Sequence, residues 1–373
     1  MINSLALRQI EKYWVAIGLS LIVAAVVAAG ELTGNDKIIV TINEMLIRMT
    51  VVVAIYIFVG NSGVLSFGHM AFMCIGAYAV GWATIDPSWK QLMLTGLPEF
   101  LRDAQYPFMV SIAGAGVLAA IVAFLFGAVA IRMSGVVASI ATFAFLAIIN
   151  SVYSNWESVT AATSSLIGIP TVSSPWTFFA FTVFAISCAF WFQESRYGLM
   201  LRASRDDEVA AKSCAINIGR VRLIAFVLSA FLVGIGGGLY AHFLGVLTVE
   251  VFYISLTFVT LSMLIVGGVG SLTGAVLGVL IVTLIVEVLR GLEGGVSIGA
   301  ISFQLPKGLQ EIGLGLMMAL ILIFRPRGLT KGREIPFPRR LVRRVAPIAE
   351  ANSALPVERG LSRCSVVPKD RTR

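Results

Sequence analysis

IIVTINEMLIRMTVVVAIYIFVGNSGVLSFGHMAFMCIGAYAV (Ile38–Val80) decides the fold. The run from Ile38 to Val59 is long and apolar enough to cross a hydrocarbon core, which takes roughly 20 such residues. A glycine-rich interruption, GNSGVLSFG (Gly60–Gly68), breaks it, and apolar sequence then resumes. Working outward, the same pattern predicts about ten spans, near 14–32, 38–59, 65–85, 108–131, 134–152, 176–193, 221–244, 253–268, 272–290 and 309–325. Only helices that satisfy their own backbone can cross lipid in this way. A second interruption, GGVGSLTG (Gly267–Gly274), separates two of these spans. Broken helices expose backbone groups that can line a path, and small residues equally allow close helix packing.

Composition agrees. The 373 residues are 58% hydrophobic and 13% charged, where a soluble domain carries about 25% charge. The formal net charge of +8 belongs to the end of the chain, because Arg325–Arg373 holds 13 Lys/Arg against 4 Asp/Glu. A basic tail beside a span reads as a cytoplasmic topology signal attracted to anionic lipid headgroups, not as a nucleic-acid arm. With the N-terminus inside, 22 of the 28 Lys/Arg fall on the cytoplasmic side. Lys37, Lys90, Arg102, Arg290 and Lys307 fall outside, and Arg48 lies within a span. Both termini are therefore expected in the cytoplasm. Arg8 and Lys12 before Trp14–Ala29 would also suit a cleaved signal, but the many later spans favour an uncleaved first helix. Cys74, Cys188, Cys214 and Cys364 lack metal-ligand spacing, so no metal site is expected.

One sizeable cytoplasmic segment precedes the tail: ESRYGLMLRASRDDEVAAKSCAINIGRVRL (Glu194–Leu223). Ser204 followed by Asp207 fits a capping box, Asp206, Asp207 and Glu208 suit a helix N-terminus, and Gly219 reads as the stop. Val209, Ala210 and Ala211 offer a small-residue surface that a partner's groove can accept. The alternative is a solvated connector.

At this segment the chain resembles the LivM-type permease subunits of bacterial ABC importers for branched-chain amino acids, and the likeness runs from about Val51 to Leu329. SFGHMAFMCIGAYA (Ser66–Ala79), SNWESVT followed by GIP (Ser154–Pro170), the Arg196–Asn217 run, IVGGVGSLTGAVLG (Ile265–Gly278) and FRPRGL (Phe324–Leu329) are similar to the family's motifs in order. The resemblance implies a heteromeric importer: a second, LivH-type permease, two cytoplasmic ATPases and a periplasmic binding protein in the bacterial inner membrane. It implies that Glu208, Ala210 and Ala211, with Asp206 and Asp207, form a coupling helix in the ATPase groove, led in by Arg202 and Arg205. The chain has no GxxxxGK[ST] phosphate loop, so it is expected to bind no cofactor itself, ATP and Mg belonging to the partners. Departures stand at Cys214–Ala215, where the family usually has Leu-Gly. They also stand at Ala161, Ala162, Ser164 and Ser165, in a loop the family makes glycine-rich, and at Ile55–Val64.

The expected translocation path is Gly63, Ser66, Gly68, His69, Gly267, Gly268, Gly270, Ser271 and Gly274. His69 either orients backbone groups there or is a satisfied structural histidine. Charges inside a span are costly, about 2.5–3.5 kcal/mol at the centre, so Glu44 and Arg48, four apart on one face, either neutralise each other or reach a partner permease. If the span starts later, Glu44 is interfacial. His242 reads as packing or helix-to-helix hydrogen bonding, and GIGGGLY (Gly234–Tyr240) as close helix packing.

The sequence thus reads as an all-α polytopic membrane protein of about ten transmembrane helices with broken or re-entrant Gly-rich segments. Residues 1–13 form a cytoplasmic N-terminus, 14–325 a permease domain with a coupling segment at 194–222, and 326–373 a basic, disordered tail. Its expected role is a transport subunit, not an enzyme, and the spans carry no HExxH or GxSxG. Alternatives are the same architecture importing urea or short amides, or a stand-alone ion-coupled carrier.

Overall fold

The computed structural model describes residues 2–335 apart from 131–132, 134, 294–295, 299–300, 304–307 and 326–327. The tail from 336 onward lies outside the described residues.

Among the described residues the chain is built of α-helices: α1 (Ile2–Leu32), α2 (Asp36–Ser62), α3 (His69–Thr84), α4 (Pro87–Met93), α5 (Glu99–Arg102), α6 (Phe108–Ala130), α7 (Val136–Asn155), α8 (Glu157–Thr160), α9 (Pro175–Glu194), α10 (Arg196–Asp206), α11 (Glu208–Ser213), α12 (Ile218–Leu244), α13 (Ile254–Gly267), α14 (Leu272–Glu293) and α15 (Leu309–Phe324). Two antiparallel pairs complete it: β1 (Leu166–Ile167) with β2 (Val246–Leu247), and β3 (Val296–Ile298) with β4 (Ile301–Phe303). It is a multi-pass, all-α membrane protein.

Eight of these helices are long and apolar enough to cross a bilayer, α13 being counted together with the 3₁₀ turn Val249–Phe252 before it. The sequence reading gave about ten, and the two that fall short are the spans expected at 65–85 and 309–325. Their helices, α3 and α15, have 16 residues each. At about 1.5 Å per residue that is roughly 24 Å, less than the ~30 Å core.

Helix ends follow local chemistry. Asn35 caps α2 by accepting from the Lys37 amide at 3.0 Å, and Gly63 ends it in the left-handed region at φ 71°. Asn217 caps α12 by accepting from the Arg220 amide at 3.1 Å. α12 is the centre of the bundle and packs against α2, α3 and α6. Its glycines permit the close approach expected of GIGGGLY: a Cβ on Gly234 would lie 2.9 Å from the Ala115 carbonyl oxygen, and one on Gly237 would overlap the Met73 carbonyl. Large apolar side chains such as Leu125, Val129, Trp191 and Phe324 stay exposed on the outer helices, as lipid-facing surfaces require.

Each end of the bundle is tied differently. At one end, Lys90 is fully buried and its ammonium donates to the carbonyls of Trp82 (3.1 Å), Leu101 (2.7 Å) and Ala104 (2.5 Å), fastening the 85–107 loop. Desolvation draws its pKa below the usual lysine range. Both glycine-rich breaks and the Glu194–Leu223 segment gather at the opposite end.

Candidate functional site

The site begins with two helix ends that touch. α2 has 27 residues, about 40 Å at ~1.5 Å per residue, so the Gly60–Gly68 break falls at its end and not in mid-span. The Gly267–Gly274 break likewise joins the end of α13 to the start of α14. They meet at Gly60, where a Cβ would lie 2.8 Å from the Val269 carbonyl oxygen.

The segment between α9 and α12 grips this junction. Arg205, near the end of α10, donates from Nη1 to the Gly60 carbonyl at 2.7 Å. Its aliphatic stem covers Gly63, where a Cβ would come within 2.6 Å of Arg205 Cγ. Arg202 donates to the Gln193 carbonyl at 2.6 Å. The Gln193 side-chain oxygen in turn accepts from the Tyr56 hydroxyl at 2.8 Å. One short helix is thus hydrogen-bonded to the last turn of α2 and, through Gln193, to its body.

The segment is two helices and not one. Asp207 interrupts it in extended conformation (φ −151°, ψ 113°) and caps α11 by accepting from the Val209 (2.8 Å) and Ala210 (3.0 Å) amides. This corrects the expected capping box: Ser204 lies inside α10 and donates to the Leu201 carbonyl instead. Gly219 is not the stop either, since it sits in the first turn of α12. α11 ends through Ala215, held at φ 59°. This position, where the family pattern has glycine, thus keeps the glycine conformation without the glycine. Ala161 and Ala162 likewise hold positive φ, at 60° and 51°.

The expected coupling residues divide into two sets. Arg202, Arg205, Glu208 and Ala211 engage the chain itself. Glu208 bridges Lys212 (3.2 Å) and Arg222 of α12 (3.5 Å), and Ala211 is buried. The Lys212 ammonium, with Arg222 adding to the pull, holds the Glu208 carboxyl below the usual carboxylate range. Asp206, Asp207 and Ala210 face away from the bundle, with Val209, which is 75% exposed.

Most of the expected path residues are occupied with the chain's own packing. Ser66 and His69 are buried and hydrogen-bonded at 2.8 Å, with the His69 ring among Phe58, Phe72 and Phe226. Gly68 abuts the Thr142 backbone, and Gly267 lies against Gly274 too closely for any Cβ. Gly268 adopts φ 118°, and a Cβ on Gly270 would meet Gly332 at 3.3 Å. Ser271 accepts from the Gly274 amide at 3.0 Å and pairs with Thr330 at 2.9 Å. His242 bonds the Pro170 carbonyl at 2.7 Å, a contact to a loop where packing or a helix-to-helix hydrogen bond was expected.

Glu44 and Arg48 do form an ion pair on α2. Arg290 of α14 joins Glu44 at 3.6 Å and Glu287 at 3.4 Å, so the four charges fasten α2 to α14 within one chain. Among the described residues no group of His, Cys, Asp or Glu could hold a metal ion.

The model of the family described as branched-chain amino acid transport system / permease component matches residues 37–324. The chain belongs to this family. Its relatives include the high-affinity branched-chain amino acid transport system permease protein LivM of Escherichia coli K12, 24% identical over 305 residues, which cover 73% of this chain and 64% of the relative. The LivM protein of Salmonella typhimurium LT2 matches to the same extent. The chain spans a little under two thirds of the length of these curated relatives. No solved structure matches it significantly.

Sequence reasoning about the permease missed Tyr56, Gln193, Thr273, Thr330 and Glu334 at the junction, and Glu287 and Arg290 at the far end of α14. Glu334 left one signal, a lone acid inside a basic run.

Proposed function

We propose that this chain is the membrane-spanning subunit of an ABC importer for branched-chain, aliphatic amino acids. In this reading ATP and Mg bind two separate cytoplasmic ATPases, a second LivH-type permease completes the path, and a periplasmic binding protein delivers substrate. Both termini are cytoplasmic, as the distribution of Lys and Arg supports.

The observation that carries the reading is the hydrogen bond from Arg205 to the Gly60 carbonyl. A helix pair that displays Asp206, Asp207, Val209 and Ala210 outward while Arg205 holds the end of α2 is built to pass a displacement inward. ATPase closure moves α10 and α11, and the helix ends at Gly60–Gly68 and Gly267–Gly274 follow. Two states with different contacts are what alternating access needs, and the motor supplies the difference in energy between them. Catalysis belongs to the motor, and this chain contributes only geometry.

The test is a pull-down with uptake. Val209→Glu and Ala210→Arg alter only exposed positions, so both variants are expected to reach the membrane normally, to co-purify about tenfold less ATPase and to lose labelled leucine uptake. Wild-type co-purification and uptake in both variants overturn the proposal. Uptake of labelled urea in place of leucine by cells expressing the whole transporter would keep the mechanism and change the cargo.

A further inference from the structure

The segment that follows α15 folds back onto the second break. The Leu329 amide donates to the Val266 carbonyl at 3.0 Å and the Thr330 amide to the Gly267 carbonyl at 3.1 Å. Thr330 Oγ1 donates to the same Gly267 carbonyl at 2.9 Å, and Ser271 pairs with it. Glu334 then completes the attachment. Its carboxylate accepts from the Leu272 amide (2.8 Å), the Thr273 amide (3.0 Å) and the Thr273 hydroxyl (2.5 Å). An anion on the first amides of a helix is favoured twice, by satisfying donors that have no intrahelical partner and by the helix dipole. The start of α14 is thus held from outside its own sequence, by a residue over 60 positions downstream.

A second contact gives this cap a direction. Gln193 Nε2 donates to Glu334 Oε1 at 3.4 Å. Gln193 is the residue whose carbonyl takes Arg202 and whose side-chain oxygen takes Tyr56. A single line of hydrogen bonds therefore runs from α10 through Gln193 and Glu334 to the first turn of α14, while Arg205 runs separately to α2. The two bonds at Glu334 differ in kind. Those to α14 are short, threefold and charge-assisted, and the one to Gln193 is single and long. Glu334 is thus fixed to α14 and joined to Gln193 by one further bond, through which movement of Gln193 reaches the cap.

We infer that Glu334 is a positioning residue for transport: it couples displacement of the α10–α11 segment to the N-terminus of α14, so that both helix ends move together. This rests on the reading of 194–222 as the part the motor moves. Residues 328–335 are then a working element of the permease, and polar contacts hold α14 at both ends, the Glu334 cap at one and the Arg290–Glu44 pair near the other.

The test uses the complete transporter in proteoliposomes, with labelled leucine as probe and amide hydrogen exchange over residues 266–276 as a readout that does not depend on the cargo. Gln193→Met cuts the joint and leaves the cap but also removes the acceptor of the Tyr56 hydroxyl, so Tyr56→Phe, which loses only that bond, is measured beside it and is expected to keep wild-type coupling. Gln193→Met is expected to keep wild-type protection at Leu272 and Thr273 without nucleotide, to lose the change in protection that ATP binding produces, and to lower uptake per ATP hydrolysed about fivefold. Glu334→Ala removes both contacts. It is expected to lower maximal uptake per transporter about tenfold with the leucine KM within about twofold of wild type, and Glu334→Gln, which keeps one accepting oxygen but neither the charge nor the second acceptor, is expected to recover only part of that rate.

Wild-type uptake per transporter in Gln193→Met and Glu334→Ala overturns the inference. So does a loss that only tracks membrane abundance, or a nucleotide-dependent exchange change that survives Gln193→Met. A catalytically dead ATPase partner separates the two levels. Leucine uptake that persists with the dead motor sinks the coupling reading itself, whereas motor-dependent uptake that is unaffected by both substitutions sinks only the role of Glu334.

Discussion

Arg205→Met is the most informative single change. Methionine keeps an apolar stem over Gly63 and removes the guanidinium that donates to the Gly60 carbonyl at 2.7 Å. Hydrogen bonds to charged groups contribute about 1.5–3 kcal/mol when buried. The Arg205 side chain is 34% exposed, and its carboxylate neighbour Asp206, at 3.7 Å, is 77% exposed. Solvent screening therefore places the bond to Gly60 at the low end, about 1–1.5 kcal/mol. That amounts to a shift of roughly 5- to 10-fold in the population of the state in which α2 follows α10. The assay measures leucine uptake and ATP hydrolysis in parallel on the reconstituted transporter. Uptake per ATP is expected to fall by about that factor while membrane abundance and thermal unfolding of the detergent-purified protein stay close to wild type. Unchanged uptake per ATP would refute the linkage, as would a fall explained wholly by lost protein.

The remaining predictions concern stability. Ala215→Gly removes a left-handed alanine and is expected to stabilise the turn after α11 by about 1 kcal/mol with uptake intact, read as a raised thermal midpoint. Lys90→Met leaves three carbonyls without their donor and is expected to cost on the order of 3 kcal/mol locally, read as faster proteolysis within residues 85–107. Glu208 has a folded-state pKa below its unfolded value, so its contribution is fully present above the ordinary glutamate range and is lost as pH falls through the folded value. Amide exchange in 206–216 is expected to be flat from pH 8 to about 5, after correction for intrinsic rates, and to show loosening below about pH 4.5 that Glu208→Gln abolishes.

The spans were legible because lipid imposes one rule on every crossing, and an apolar run obeys it without help from the rest of the fold. The predicted ends at 108 and 272 coincide with the starts of α6 and α14. The runs read as spans at 65–85 and 309–325 form helices of 16 residues, because hydropathy does not measure where a helix starts: α3 begins only at His69, after Gly63 at φ 71° and Gly68 against Thr142. The segment 194–222 announced itself by charge in an apolar chain. Its break at Asp207 did not, because Asp206, Asp207 and Glu208 serve equally well as the first turn of one helix or as the cap of a second.

The junction itself was the least legible. Tyr56, Gln193 and Glu334 are 137 and 141 positions apart along the chain, and no local pattern brings them together. Glu44 and Arg48 declared themselves by i, i+4 spacing, but Arg290 reaches them only through the packing of α14 on α2. Glycines read as a path also serve as close contact points within the chain, since one missing Cβ suits close packing and an exposed backbone alike. The alanines at 161, 162 and 215 hold positive φ, a backbone shape no local pattern announces when glycine is absent.

The central claim is that a short helix pair on one face of the membrane conveys motion from a separate motor into the bundle. It is tested most directly by reconstituting the purified permease pair into proteoliposomes with and without the ATPase subunits, with ATP and the binding protein on their respective sides, and following labelled leucine. Accumulation is expected only when the motor is present and hydrolysing. Accumulation by the permeases alone, driven by a proton or sodium gradient, would contradict the claim.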